Sequence, residues 1–104
     1  QPKEVRETHP AYISWNTTND IVLTRAQLDA LIRNKPKKAL RIKGFLLSER
    51  GPLELHCVGP SHSLKPVQGV SKTQLVGIGL KGHITQQDFQ NWWGEITTPA
   101  PSLF

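Results

Sequence analysis

Apolar residues recur along this chain at two spacings, and the change from one to the other marks its elements. Ala11, Ile13 and Trp15 alternate with Tyr12, Ser14 and Asn16, the period of two that buries one face of a strand. Residues 16–20 (NTTND) are turn formers and predict where that strand ends. Leu28, Leu31 and Ile32 then fall at helical spacing beneath a start signal. Thr24 can cap the amide of Gln27, Gln27 can reach back, and Leu23 can staple onto Leu28. Asn34-Lys35-Pro36 stops this helix, because the residue before a proline is pushed out of the α region.

Period two returns over residues 39–47 (ALRIKGFLL), with Leu40, Ile42, Gly44 and Leu46 on one face and Arg41, Lys43, Phe45 and Leu47 on the other. Residues 49–52 (ERGP) turn the chain into Leu53, Leu55 and Cys57, alternating with Glu54, His56 and Val58, so the two runs predict a β-hairpin. Residues 61–72 are mixed, and only a short edge segment over residues 64–67 (LKPV) is expected there, since Pro66 cannot donate to a ladder. Residues 73–80 (TQLVGIGL) are apolar on both faces, as a central strand is. Gly77 and Gly79 share a face, where a helix or loop can approach closely. A second helix repeats the logic of the first: Thr85 caps, Asp88 stands three residues on, and Ile84 is placed to staple onto Phe89. Phe89, Trp92, Trp93 and Ile96 then make one wide stripe.

The order strand, helix, strand, strand, short edge segment, strand, helix predicts an α+β domain. Its sheet is antiparallel-rich, four- to five-stranded, and covered on one face by two helices. The domain is expected over residues 11–97, after a polar linker at 1–10 and before a flexible tail at 98–104. One core suits 104 residues of which 37% are hydrophobic. Gln1 at the front and the absence of Met make an excised or processed chain the expectation. A lone Cys57 forms no internal disulfide and favours a reducing, cytoplasmic setting. No apolar run is long enough to span a bilayer.

Charge changes the picture at one place. The net charge is +5, and residues 33–43 hold Arg33, Lys35, Lys37, Lys38, Arg41 and Lys43 without an acid. Residues 51–104 balance Lys65, Lys72 and Lys81 against Glu54, Asp88 and Glu95. Lys35, Lys37, Lys38, Arg41 and Lys43 therefore form the candidate partner-binding edge, for an acidic protein surface or for nucleic acid. With Trp92 and Trp93 as candidate stacking groups, a small basic nucleic-acid-binding module is the alternative function.

Catalytic chemistry is harder to place. The phosphate-loop patterns GxxxxGK[ST] and GxGxxG, the GxSxG elbow, HExxH and CxxC are all absent from the sequence. Cys57 neighbours His56, but adjacent residues of a strand point to opposite faces, so Cys57 is expected to be a core thiol. His56 and His62 flank the end of the third strand and are the candidate two-ligand metal site, should the chain double back. No catalytic or cofactor-binding residue is assigned.

Three segments carry a family resemblance: Arg41-Ile42-Lys43-Gly44-Phe45-Leu46, the Ser63-Leu64-Lys65-Pro66 region, and Gln74-Leu75-Val76-Gly77-Ile78-Gly79. In this order they resemble the C-terminal domain of CobW-type proteins over about residues 11 to 96. Leu47 stands where that family commonly has an aromatic, and Val67-Gln68-Gly69 replaces a Trp-containing stretch. The resemblance implies a non-catalytic accessory domain of a two-domain P-loop GTPase of the metallochaperone class, acting in cobalamin biosynthesis or metal homeostasis. It also implies GTP with Mg, and a transition metal such as zinc or cobalt, held upstream. The implied partners are the chain's own GTPase domain and a metalloprotein client.

Overall fold

Each helix begins where a threonine turns the chain from extended to helical backbone. Thr24 and Thr85 are both extended N-caps. The Thr24 hydroxyl accepts from the Gln27 amide at 3.1 Å, while Gln27 Oε1 accepts from the Thr24 amide at 2.8 Å. Thr85 and Asp88 repeat the reciprocal pair at 3.1 and 2.9 Å. Each such cap stabilises its helix by about 1 kcal/mol, and together they fix where two helical faces start.

A computed structural model describes residues 11–98. The elements in chain order are β1 (Tyr12–Asn19), β2 (Val22–Leu23), α1 (Arg25–Arg33), β3 (Ala39–Ser48), β4 (Leu53–Val58), β5 (Ser61–Pro66), β6 (Thr73–Leu80) and α2 (Gln86–Thr97). The main sheet runs β1-β6-β3-β4-β5, every neighbouring pair antiparallel, and the two-residue β2 pairs parallel with the end of β3. No helix of the described residues is long and apolar enough to cross a membrane. The expected linker at residues 1–10 and the tail beyond residue 98 lie outside the described residues.

Three expectations need correction. The turn predicted at residues 16–20 is strand, because β1 stays paired with β6 as far as Asn19↔Thr73 and threonine fits a pleated ladder. The edge segment is longer than predicted: β5 occupies Ser61–Pro66, with Pro66 at its last position on the sheet edge. Simple alternation puts Leu40 on one face with Ile42, yet Ala39 and Ile42 are buried while Leu40 and Arg41 are exposed. A register shift between Ala39 and Arg41 sets two residues of β3 against one of β6, and the resulting bulge turns Leu40 outward.

The core lies between the helices and one sheet face. Trp15, Ile42, Leu46, Leu55, Cys57 and Leu75 line the sheet side; Leu31, Phe89, Trp92, Trp93 and Ile96 come down from the helices. Trp15 stacks on Phe89 with centroids 5.6 Å apart and 7° between planes, and meets Trp92 edge-on at 6.1 Å. Buried polar atoms find partners across elements: Trp92 Nε1 donates to the Leu31 carbonyl, and Trp15 Nε1 to Gln90 Oε1, each at 3.0 Å. Thr73, fully buried, accepts from the Leu47 amide and donates to the Ile21 carbonyl. Among the described residues no buried side-chain nitrogen or oxygen lacks a partner, as a settled core requires.

Close approach depends on glycines. A Cβ at Gly77 would lie 2.5 Å from Phe89 Cε1, and one at Gly79 would collide with Ile84 Cγ2. Gly44 has φ +147°, and a Cβ there would run into the Gln74 carbonyl of the adjacent strand. Gly44→Ala is therefore expected to lower stability by about 3 kcal/mol or more, combining backbone strain with a clash that side-chain movement cannot relieve. Gly94 lies in α2, and a methyl group there would meet nothing within 4 Å. Gly94→Ala should instead raise stability by up to about 1 kcal/mol. Urea unfolding of the two variants checks both signs.

Candidate functional site

Strand periodicity assigns the side chains of the sheet to two faces, and the described residues cover only one of them. Residues opposed across a ladder point the same way, so the rows can be followed strand by strand. Ser14, Ile78, Arg41, Val58 and Ser61 form one row away from the helices. Asn16, Val76, Lys43, His56 and Ser63 form the next, and Thr18, Gln74, Phe45, Glu54 and Lys65 the third. This face is wet but not polar throughout: Tyr12, Leu40, Val58 and Val76 are 39% to 55% exposed.

Two depressions mark it. A groove of about 620 Å³ crosses four strands and is lined by Asn16, Lys43, Phe45, Glu54, His56, Gln74 and Val76, among others. A second, of about 530 Å³, lies at the Leu40 bulge between Tyr12, Ser14, Arg41 and Ile78. Glu54 is the one acid in the three rows, and Lys65 stands directly across from it, so Arg41 and Lys43 set the charge of the face.

The basic stretch is thus split between two places. Arg41 and Lys43 stand exposed on the open face. Lys37 and Lys38 line a shallow depression with His83, Asp88, Asn91, Trp92 and Glu95, where two carboxylates offset their charge. Lys35 directly follows α1, its amide donating to the Ile32 carbonyl at 3.4 Å, and its charge acts on the Cys57 thiol. The single positive edge expected from residues 33–43 does not form, because the helix-to-strand loop and the first half of β3 face different ways.

The candidate metal pair separates for a similar reason. The chain does double back after β4, but the register is Cys57↔His62 and His56↔Ser63. His56 and His62 therefore lie on opposite sheet faces. No group of three or more His, Cys, Asp or Glu able to hold a metal ion occurs among the described residues. Cys57 is buried, and burial pushes its thiol above the ordinary 9.0 despite the opposing charge of Lys35. These residues do not fit a zinc site.

Trp92 and Trp93 are buried in the core, leaving Tyr12, 55% exposed, as the aromatic that the sheet face presents most openly. The grooves themselves have no motif in the sequence. They depend on the bulge at Leu40 and on which strands become neighbours, and the one sequence signal is the apolar residues on the polar side of the alternation.

Residues 12–97 match the model of the family described as cobalamin synthesis protein cobW C-terminal domain. Among solved structures, the chain is similar to the Zn(II)-bound YjiA GTPase from E. coli, at 14% identity and a TM-score of 0.63. A Zn(II)-bound triple mutant of YjiA GTPase is similar at 15% identity and a TM-score of 0.62. The matches cover 89% and 91% of this chain but 32% of each YjiA chain. This chain therefore spans about a third of their length. No curated protein sequence matches it.

Two outcomes follow from the geometry. Replacing His56 and His62 together with alanine should leave the heat of a zinc titration unchanged; a stoichiometric heat lost in that variant would show that the imidazoles converge. Cys57, neutral in the fold and raised in pKa, adds stability that is present below about pH 9 and lost as pH rises through the folded value. Native chain should therefore react slowly with a disulfide reagent at about pH 7.5 and far faster once unfolded in urea.

Proposed function

Since the chain belongs to the family of cobalamin synthesis protein cobW C-terminal domains, we propose that it serves as a non-catalytic accessory module of a P-loop GTPase. In this reading it docks on an upstream GTPase domain and helps present a metal or a metalloprotein client, in cobalamin biosynthesis or metal homeostasis. GTP with Mg, and a transition metal such as zinc or cobalt, would be held by the upstream domain and not by this chain.

The observation that carries this reading is the proportion of the structural match. The chain aligns over nearly its whole length with about a third of a GTPase, and its own sequence contains no phosphate-loop motif. The chemistry available here supports the same division of labour. A thiol kept protonated by burial is a poor nucleophile and a poor ligand, and the surface offers a broad, shallow, basic and aliphatic face in place of an enclosed cleft.

The test is direct. A phosphate-loop motif is expected in the coding sequence upstream of residue 1, and the domain that contains it should bind the 104-residue chain when both are mixed in solution and followed by sedimentation. A coding sequence with no such motif, or two domains that sediment independently at high micromolar concentration, overturns the proposal.

A further inference from the structure

The open sheet face has the anatomy of a contact surface. Arg41 and Lys43 run along β3, the middle strand of the sheet, with Val76 and half-buried Ile78 of β6 on one side and exposed Val58 of β4 on the other, and no acid in the same rows offsets their charge. Two cations flanked by aliphatic side chains suit a protein segment that brings carboxylates and apolar side chains together. Single-stranded nucleic acid is the poorer match, since it needs successive aromatic platforms, and with both tryptophans of α2 buried the face presents Tyr12 as its one openly exposed aromatic among the described residues. A second copy of the same face would set Arg41 and Lys43 against their own kind.

The spacing narrows the ligand. Arg41 and Lys43 are two residues apart on one strand, roughly 6.5 Å, which is also the separation of alternate side chains on any extended partner. The Leu40 bulge opens its groove beside Arg41, with Tyr12 and Ile78 as the other walls. His56 stands across from Lys43 and adds a second donor where a carboxylate would lie. The face is five strands wide at about 4.8 Å each and about six residues long, or roughly 500 Å², the order of one side of a weak, transient interface.

We propose that this face receives an extended acidic segment of a separate partner protein. Carboxylates at alternate positions meet Arg41 and Lys43, and an aliphatic side chain enters the groove formed by Tyr12, Leu40 and Ile78. The inference rests on the docking-module reading above and names its partner-facing surface. Lys37 and Lys38, beside Asp88 and Glu95, take no part.

The probe is a capped ten-residue peptide with two leucines followed by glutamates at alternate positions, titrated into the 15N-labelled 104-residue chain at low salt. Amide shifts are expected at Arg41, Lys43, His56 and Val76. Affinity should fall about tenfold in Lys43→Glu, and binding should vanish for the same peptide with glutamine in place of glutamate. Lys43 is exposed, so circular dichroism of Lys43→Glu should match the parent. Absence of shifts, equal binding of the glutamine peptide, or shifts centred on Lys37 and Lys38 would overturn the proposal. Tighter binding of an oligouridylate at the same amides would do so in favour of nucleic acid. Competition by the upstream GTPase domain would do so by assigning the face to that domain. Binding of the GTPase domain itself is measured separately and should be unchanged by Lys43→Glu, so a failed peptide titration leaves the docking reading standing.

Discussion

The contact of Phe89 with the bare backbone of β6 is the constraint from which the rest of the structure follows. Without side chains at Gly77 and Gly79, α2 can lie close enough for the Phe89 ring and Ile84 to press on the central strand. That approach lets Phe89 reach Trp15 on β1, and Trp15 in turn reaches Trp92. Trp92 Nε1 then finds the carbonyl of Leu31 near the end of α1, while Gln27 Nε2 donates to the carbonyl of Ile96. One missing pair of side chains thus determines how two helices and two strands share a single interior. Packing at this density leaves little room for alternatives.

The consequence is a sheet with two unlike faces. Side chains under the helices are apolar, buried and fully hydrogen-bonded where they are polar. Those on the other side are exposed, mixed in character and biased towards positive charge. The candidate chemical groups do not converge: the thiol is under the helices, and His56 and His62 are divided between the two sides. The features that would serve the proposed recognition lie on β3, β4 and β6, the middle strands of the sheet, where the backbone needs little ordering on contact.

Most of this architecture could be read from the residues because its signals are local. Thr24 with Gln27 and Thr85 with Asp88 specify helix starts within four residues, and the stripe of Phe89, Trp92, Trp93 and Ile96 specifies a buried face without knowledge of what covers it. Strand β6 was legible from end to end, including the role of its glycines. Properties decided by pairing were not. The continuation of β1 through residues 16–19 depends on β6 being beside it, and β5 gains its length from its partner β4. Leu40 turns outward because the ladder has an extra residue to place. The candidate site suffered most, since a run of charges in sequence says nothing about which charges share a face. Lys37 and Lys43 are close neighbours in sequence, yet the end of a loop and the interior of a strand present them to different surroundings.

A one-sided core also separates two kinds of information in the same strands. Odd positions of β6 answer to packing, and even positions answer only to whatever meets the sheet from outside. Substitution at Val76 or Ile78 can alter recognition with small effect on the interior, whereas Leu75 and Gly77 are held by it. Such a strand can drift on alternate residues while the fold persists, which is consistent with a shared architecture at 14% identity. The outward residues of such a strand can change without rebuilding the scaffold that carries them.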